Sequence, residues 1–165
     1  MFNIGDLIIY SSHGICRIDD ICDKTIMDVT RRYYILHPVQ GSAIKISTPV
    51  DNKTVVMLDL IDREEAEEII QSFTLPGIPW IDKSSQRNHT YTEIINRGNR
   101  KEIASIVNTL MIRQHDAEIN KKKPHEQDRR LLLSTQTVLF SELAHALDTT
   151  YEAIQDRVNG VLALA

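Results

Sequence analysis

The residues of this chain best suited to binding chemistry lie in one short stretch, residues 77–91, with the sequence GIPWIDKSSQRNHTY. It holds the only tryptophan, Trp80, behind a Gly-x-Pro turn, and Lys83, Arg87 and His89 follow closely. An indole can wedge against or stack on a nucleic-acid base, while neighbouring cations neutralise phosphates and release counterions. The combination favours a nucleic acid over a small metabolite. Taken by itself, however, a lone Trp after a proline is more typical of a side chain that anchors a loop to a core.

The distribution of charge along the chain favours contact with a polyanion in one region. Residues 1–82 carry 7 basic and 13 acidic side chains, residues 83–130 carry 11 and 6, and residues 131–165 carry 1 and 4. The overall net charge of −4 argues against a protein that coats nucleic acid along its length. The basic middle region is therefore the predicted polyanion surface, in a chain that could touch DNA locally while another protein holds it there.

Length and composition predict an ordinary globular protein. A chain of 165 residues, 42% hydrophobic and 25% charged, can form one domain or two small ones and is not disordered throughout. No apolar run reaches membrane-spanning length, and the first residues pass directly into a strand pattern without a secretory leader. Two cysteines are too few for a disulfide framework. These features predict a cytoplasmic protein.

Metal binding and catalysis are both disfavoured by the motifs. His13, Cys16, Cys22 and His37 are the right elements for a zinc site, but no CxxC pair or recognised spacing is present. We therefore predict structural roles for them and no metal. The chain has no GxSxG, Walker loop, HExxH or paired Cys-His context. We predict no cofactor, no small-molecule substrate and no enzymatic activity.

The first sixty residues have the two-residue hydrophobic period of strands. Turn residues separate five runs, which are predicted as strands at 7–10, 15–21, 32–36, 43–46 and 55–58. Five short strands without a helical period predict a small, strongly bent sheet or SH3-like barrel. Such barrels commonly offer an edge or groove to a partner.

From Asp62 onward the hydrophobic period is that of helices. Four capping pairs mark predicted helix starts: Asp62 with Glu65, Thr90 with Glu93, Asn99 with Glu102, and Thr149 with Glu152. Pro124 marks a fifth start and Gly160 the last end. The five predicted helices span about 63–73, 91–97, 100–118, 125–146 and 150–159. The predicted fold class is α+β: a small SH3-like β-barrel at residues 1–60 followed by a five-helix domain at residues 61–165.

The chain resembles the CarD/CdnL family of bacterial transcription regulators over nearly its whole length. The opening IGDLIIYSSHGICRI carries the resemblance in the β half, at Gly5, Asp6, Tyr10, His13 and Gly14, followed by Tyr34 and Pro49. The helical half is similar in its order: Trp80, the basic segment 83–91, Gly98 between two helices, and Glu142, Leu143 and Ala144 late in a long helix. The family resemblance implies that the β module is a Tudor-like barrel, of the type also found in the transcription-repair coupling factor.

The resemblance also implies partners and site residues. The barrel would dock on the RNA polymerase β subunit, with Lys24 and Lys45 near the docking edge and Ser47 where some members carry arginine. The helical domain would grip promoter DNA at the upstream edge of the transcription bubble. The DNA-binding residues implied are the wedge Trp80, the backbone contacts Lys83, Arg87 and His89, and the second-line contacts Arg97, Arg100 and Lys101.

One departure from the family pattern leaves two interpretations of Trp80 open. Trp80 lies about four residues farther from the matching Gln86 and Arg87 than in many members, so either a longer loop still delivers the indole or Trp80 has become a packing residue. A wedge that binds only opened DNA would shift the equilibrium toward the open complex, with little sequence specificity. We expect a monomer that associates with the nucleoid through polymerase. The alternative is a protein-interaction adaptor that does not engage DNA.

Overall fold

The structure is a computed structural model and describes residues 1–41 and 43–164. The chain forms two compact units, Met1–Leu60 and Ile61–Ala165. The first unit is an antiparallel β sheet and the second holds five helices. The predicted α+β fold class is therefore confirmed. No helix in the described part of the chain has the length and apolar character needed to cross a membrane.

The β unit is one antiparallel sheet of five strands in the order β4-β3-β2-β1-β5. The strands are β1 Leu7–Tyr10, β2 Ile15–Ile26, β3 Val29–Pro38, β4 Ile46–Pro49 and β5 Met57–Asp59. The last strand returns to pair with the first, with Ile9 opposite Leu58. Alternating side chains of β1, β2 and β3 form the core, in which Ile8, Ile18 and Leu36 are fully buried. Period-two burial of this kind is what the sequence pattern predicts for a half-buried sheet.

The central hairpin is longer than its sequence pattern predicts. The second strand was predicted to end at Ile21, but β2 continues to Ile26, and Asp23 within it pairs with Arg32 of β3. The chain turns at Met27 and Asp28, which both have positive φ, 49° and 61°. Two residues with positive φ suit the right-handed twist of a hairpin. The fourth strand was also misplaced, because the predicted run at 43–46 overlaps the observed β4 only at Ile46.

The helices are α1 Arg63–Ser72, α2 Ser84–Asn96, α3 Arg100–Ile119, α4 Glu126–Ala146 and α5 Tyr151–Val161. Two of the predicted caps are confirmed by their hydrogen bonds. The Asp62 carboxylate accepts from the Glu65 N–H at 2.8 Å, and the Asn99 side chain accepts from the Glu102 N–H at 3.1 Å. These bonds satisfy amide donors that the first turn of a helix leaves unpaired.

The other predicted helix boundaries need correction. Thr90 does not begin a helix, because it lies inside α2, which begins at Ser84. Pro124 precedes the cap of α4, which is His125, and α5 is capped by Thr150 instead of Thr149. Gly160 does not end α5; the chain leaves the helix at Ala163, whose φ is 55°.

Candidate nucleic-acid interface

Trp80 lies at the end of a segment that crosses α3 and is hydrogen-bonded to it. This segment, residues 73–80, is called the strap below. The Ile78 N–H donates to the Ser105 carbonyl at 3.1 Å, and the Thr109 hydroxyl donates to the Ile78 carbonyl at 2.7 Å. Gly77 sits so close to α3 that an added Cβ would lie 2.2 Å from the Thr109 hydroxyl oxygen. The strap therefore approaches α3 closely only because residue 77 is glycine.

Two further hydrogen bonds fix the strap around Trp80. The Asn108 amide donates to the Leu75 carbonyl at 3.1 Å from a buried position on α3. The hydroxyl of Tyr91, a fully buried residue of α2, donates to the Pro79 carbonyl at 2.8 Å. Burial is the largest influence on the Tyr91 hydroxyl and raises its pKa. Helices α2 and α3 together thus set the position of the residue that precedes Trp80.

The indole of Trp80 is half-buried and contacts two arginines. It packs against the helical core, and the guanidinium carbons of Arg87 and Arg113 lie 4.0 Å and 4.3 Å from the ring centroid. A guanidinium at this distance is attracted to the face of the ring, by about 0.5–2 kcal/mol depending on how far it is desolvated. Trp80 is therefore neither sealed in the core nor free in solvent. Its environment is cationic.

Arg87, predicted as a contact to the DNA backbone, is placed differently by the structure. Only 3% of the residue is exposed. Its Nε and Nη2 donate to the two carboxylate oxygens of Asp128 at 2.9 and 2.6 Å. Its Nη1 donates to the carbonyls of Ile81 and Asp82 at 2.7 and 3.2 Å. Arg87 therefore holds Trp80, α2 and α4 together, and it does not present a charge to a polyanion.

Arg100, predicted as a second-line contact, is also engaged inside the protein. Its Nε and Nη2 donate to the Glu142 carboxylate at 3.0 and 2.8 Å, and Glu142 is 2% exposed. The same carboxylate accepts from the backbone N–H of Ile61 at 3.2 Å. This pair joins the first turn of α3 to α4 and to the beginning of the helical unit. Its placement indicates a structural role.

The remaining predicted DNA contacts are exposed. Lys83 precedes the first turn of α2, and Arg97 follows its last turn. His89 lies 3.4 Å from Glu93, and Lys101 lies 3.4 Å from Glu68. Exposed pairs at such distances are weak and can exchange partners. The role of these four side chains at DNA therefore stays a prediction.

One cation beside Trp80 was missed by the sequence argument. Arg113 is exposed on α3 and stacks on the indole, although it lies far from residues 77–91 in sequence. Its position inside the basic middle region was a signal, but charge counts do not tell which side chain reaches Trp80. Only the folding of the strap across α3 brings the two residues together.

A cleft of about 430 Å³ opens beside Trp80. This indole cleft is lined by parts of the strap, α2, α3 and α4, and includes Trp80, Arg113, His125, Asp128 and Arg129. Its walls combine one aromatic ring, several cations and two carboxylates. Such a surface can stack on a flat group and bind an anion at the same time.

In the β unit, two of the predicted polymerase contacts touch each other. The Lys24 ammonium donates to the Ser47 hydroxyl at 3.0 Å and lies 5.8 Å from the ring of Tyr33. Lys45 is exposed just before β4. Within the described residues β4 pairs with β3 alone, so its other edge is unpaired. An unpaired edge is a template for a strand of a partner.

The histidines and cysteines that were weighed as zinc ligands were predicted to have structural roles. His37 contacts the Asp19 carboxylate at 2.8 Å, and His13 stacks against Tyr10. Cys16 is buried in the β core, and burial raises the pKa of its thiol to about 11. Among the residues that the structure describes, no three His, Cys, Asp or Glu side chains come together as a metal site.

Comparison with known proteins identifies the family of both units. Residues 2–60 match the CarD-like/TRCF RID domain, and residues 79–159 match the CarD C-terminal domain. The chain is 25% identical over 147 residues to "Putative transcription factor YdeB" of Bacillus subtilis (strain 168), covering 87% of this chain and 90% of that protein. The two domains occur in the expected order. The chain belongs to the CarD/CdnL family and is a regulator associated with transcription.

Proposed function

We propose that this protein binds the RNA polymerase β subunit through its β unit and the upstream edge of the promoter bubble through its helical unit. There it stabilises the open complex and shows little sequence specificity. The observation that supports this most directly is the half-buried indole of Trp80, which lies against the exposed Arg113 at the mouth of a cleft lined by cations and carboxylates.

A held indole suits a wedge for a simple energetic reason. Unstacking a base step costs on the order of a few kcal/mol, and an aromatic side chain that fills the gap recovers part of this cost. Because the strap and Arg87 already fix Trp80, little conformational entropy is lost when it binds. A ligand that prefers opened DNA shifts the equilibrium toward the open complex.

Weak sequence specificity follows from the side chains at the site. Direct readout needs donors and acceptors that pair with base edges, such as arginine on guanine or asparagine on adenine. The Arg87 guanidinium is already hydrogen-bonded to Asp128, whereas the exposed Lys83 is a flexible point charge suited to phosphate. Stacking by an indole tolerates every base.

The β unit supports polymerase docking by its exposed edge. Strand β4 leaves one side unpaired in the described sheet. Ser47 lies in β4, Lys45 directly precedes it, and the side chain of Lys24, a residue of β2, reaches the Ser47 hydroxyl. A partner strand added there would gain main-chain hydrogen bonds, and the lysines would favour an acidic neighbour.

The lifetime of the open complex tests the DNA half of the proposal. On a promoter with competitor DNA, Trp80→Ala should shorten the lifetime about tenfold, which corresponds to roughly 1.4 kcal/mol of lost stabilisation. Leu75→Ala is the matched control, because Leu75 lies on the same strap and is 63% exposed. It should behave like the wild type. An equal lifetime for Trp80→Ala and wild type, at equal polymerase binding, would contradict the wedge.

Capture of purified RNA polymerase by this protein tests the proposed docking through the β unit. Lys24→Glu should weaken capture, whereas Lys53→Glu, an exposed lysine in the loop between β4 and β5, should not. If Lys24→Glu weakens the capture of polymerase while Trp80→Ala leaves the lifetime of the open complex unchanged, the protein is an adaptor that does not engage DNA. If Lys24→Glu leaves capture unchanged, the docking edge is elsewhere.

A further inference from the structure

A second pocket, of about 250 Å³, lies between the later turns of α3, the first half of α4 and the later turns of α5. It is called the amide pocket below, after the side chains on its walls. Its apolar lining consists of the buried Met111 and Leu132 and of Leu164. The chain turns at Ala163, whose φ is 55°, and the Leu164 N–H then donates to the Asn159 carbonyl at 2.9 Å. This helix end of the Schellman type fixes Leu164 at the pocket.

The polar lining of the amide pocket is dominated by four carboxamides, those of Gln114, Gln136, Gln155 and Asn159. The Gln114 amide donates to the Glu118 carboxylate at 3.5 Å. Within the part of the chain that the structure describes, the other three side chains make no hydrogen bond. Each carboxamide oxygen has two lone pairs that can accept hydrogen bonds. The pocket therefore offers several acceptors to a ligand that carries donors.

The electrostatics of the amide pocket favour a cation. Among the described residues that line it, Glu118 is the one carboxylate, and none is a lysine or an arginine. Glu118 and Asn159 lie in the last turns of α3 and α5, where the carbonyl end of each helix carries partial negative charge. Residues 131–165 carry 1 basic and 4 acidic side chains. An anion would thus be repelled where a cation is stabilised.

Among cationic groups, a guanidinium matches this lining. Its N–H donors lie in one plane and point in several directions, so it can donate to the Glu118 carboxylate and to carboxamide oxygens at once. The aliphatic stem of an arginine can lie along Met111 and Leu132. The ammonium of lysine is a compact, strongly hydrated point charge and uses such a spread of acceptors less well. A metal ion is disfavoured, because the described residues form no group of metal ligands.

Two exposed isoleucines flank the amide pocket on α3. Ile112 and Ile119 are 37% and 65% exposed. They lie three residues before and four residues after His115, which lines the pocket. On a helix this spacing makes them neighbours of His115 on one face. A small free cation would leave both isoleucines in water, whereas a polypeptide with an apolar residue beside its arginine would cover them.

We propose that the amide pocket is a docking site for a protein partner, and that it recognises an arginine side chain with an apolar residue close to it in the partner's chain. The guanidinium binds Glu118 and the carboxamides, and the apolar residue covers Ile112 or Ile119. The inference goes beyond the DNA and polymerase contacts proposed above and does not depend on them. It gives the helical unit a protein-binding site in addition to the candidate DNA interface.

An NMR titration of the full-length, isotope-labelled protein tests this inference. The probe is a capped peptide with the sequence Leu-Ala-Arg-Ala-Leu, and the matched control peptide carries citrulline, which is uncharged and similar in shape, in place of arginine. The side-chain NH2 signals of Gln136, Gln155 and Asn159 report on the pocket directly. They should shift with the arginine peptide, and its Kd should be about tenfold lower than that of the citrulline peptide.

Two substitutions in the pocket should weaken binding of the arginine peptide. Glu118→Gln removes the carboxylate charge and keeps the shape, so it should raise Kd about three- to fivefold. Gln155→Lys places a cation in the pocket and should raise Kd about tenfold or more. Glu64→Gln is the matched control, because Glu64 is exposed on α1 and outside the pocket, and Kd should not change. Backbone signals away from the substitution verify that each variant is folded.

Equal Kd values for the arginine and citrulline peptides would overturn the inference, as would signal shifts confined to residues outside the amide pocket. N-acetyl-arginine methylamide separates a docking site from a site for a small free cation. It lacks the apolar neighbours, so it should bind about tenfold or more weakly than the peptide, and equal affinity would overturn the docking role. Trp80→Ala should bind the arginine peptide like the wild type, so a failure of the proposed DNA contact leaves this inference standing.

Discussion

Asp128 binds one edge of the Arg87 guanidinium through two hydrogen bonds, at 2.9 and 2.6 Å, although the two residues lie 41 positions apart in the chain. Asp128 lies in the first turn of α4, whereas Arg87 lies in the first turns of α2 and stacks on Trp80. The ion pair thus connects the start of α4 to the indole through a single buried side chain. The geometry of the candidate DNA interface depends on a residue that itself need not touch DNA.

The first prediction concerns the stability of this connection. Asp128→Asn leaves the buried guanidinium of Arg87 without its counter-charge, and the free energy of unfolding should fall by about 3 kcal/mol. Urea unfolding followed by the fluorescence of Trp80, the only tryptophan, measures the loss directly. Glu126→Gln is the control, because its ion pairs are exposed and screened by solvent, so its loss should change the free energy of unfolding little. An equal loss in the free energy of unfolding for Asp128→Asn and Glu126→Gln would contradict a stabilising role for the buried ion pair.

The second prediction separates structural from DNA-binding cations. Arg100→Gln removes the partner of the buried Glu142 carboxylate and should destabilise the protein by about 3 kcal/mol. Its effect on the salt dependence of DNA binding should be negligible, because the guanidinium is already bound internally. Lys101→Gln should show the reverse, with near-native stability and a slope reduced by up to about 0.9. Both variants are compared by urea unfolding and by the salt dependence of DNA binding. A reduced salt slope for Arg100→Gln would mean that Arg100 contacts DNA after all.

Local signals predicted two of the helix starts directly, because a capping bond spans only three residues. Asp62 and Asn99 make the hydrogen bonds that their spacing predicts. Thr90 and Glu93 have the same spacing but lie inside α2, where the backbone amides are already bonded within the helix. The true start follows Lys83, whose side chain makes no capping bond, so the sequence carried no local signal there.

The candidate site could be predicted in part. The sequence located Trp80 and the basic segment after it, because an aromatic residue and cations close in the chain remain close in the fold. The sequence could not show that Asp128 of α4 forms an ion pair with Arg87, or that Arg113 of α3 lies against the indole. Which cations are free depends on partners brought near by tertiary packing, and composition counts every charge alike.

The third prediction concerns pH and the buried Cys16 thiol. Burial raises its pKa to about 11, so between the ordinary thiol pKa and this value the folded protein holds a proton that the unfolded chain has lost. The free energy of unfolding should therefore fall as pH rises from about 9 to about 11, by up to about 1.4 kcal/mol per pH unit. Urea unfolding at about pH 8 and about pH 10.5 measures this fall. Cys16→Ala should lose this part of the pH dependence, and an identical pH profile for the two proteins would contradict it.

The fourth prediction tests whether the strap positions Trp80. Gly77→Ala would place a methyl group 2.2 Å from the Thr109 hydroxyl oxygen and 2.9 Å from two α3 backbone atoms, so the strap must move away from the helix. The cost should be about 1–3 kcal/mol of stability, with a red shift of Trp80 fluorescence and a shorter open-complex lifetime. Gly160→Ala is the matched control: nothing lies within 4 Å of its added Cβ, and in α5 alanine should stabilise by up to about 1 kcal/mol. Native fluorescence and lifetime for Gly77→Ala would mean that Trp80 is held by Arg87 and the core alone.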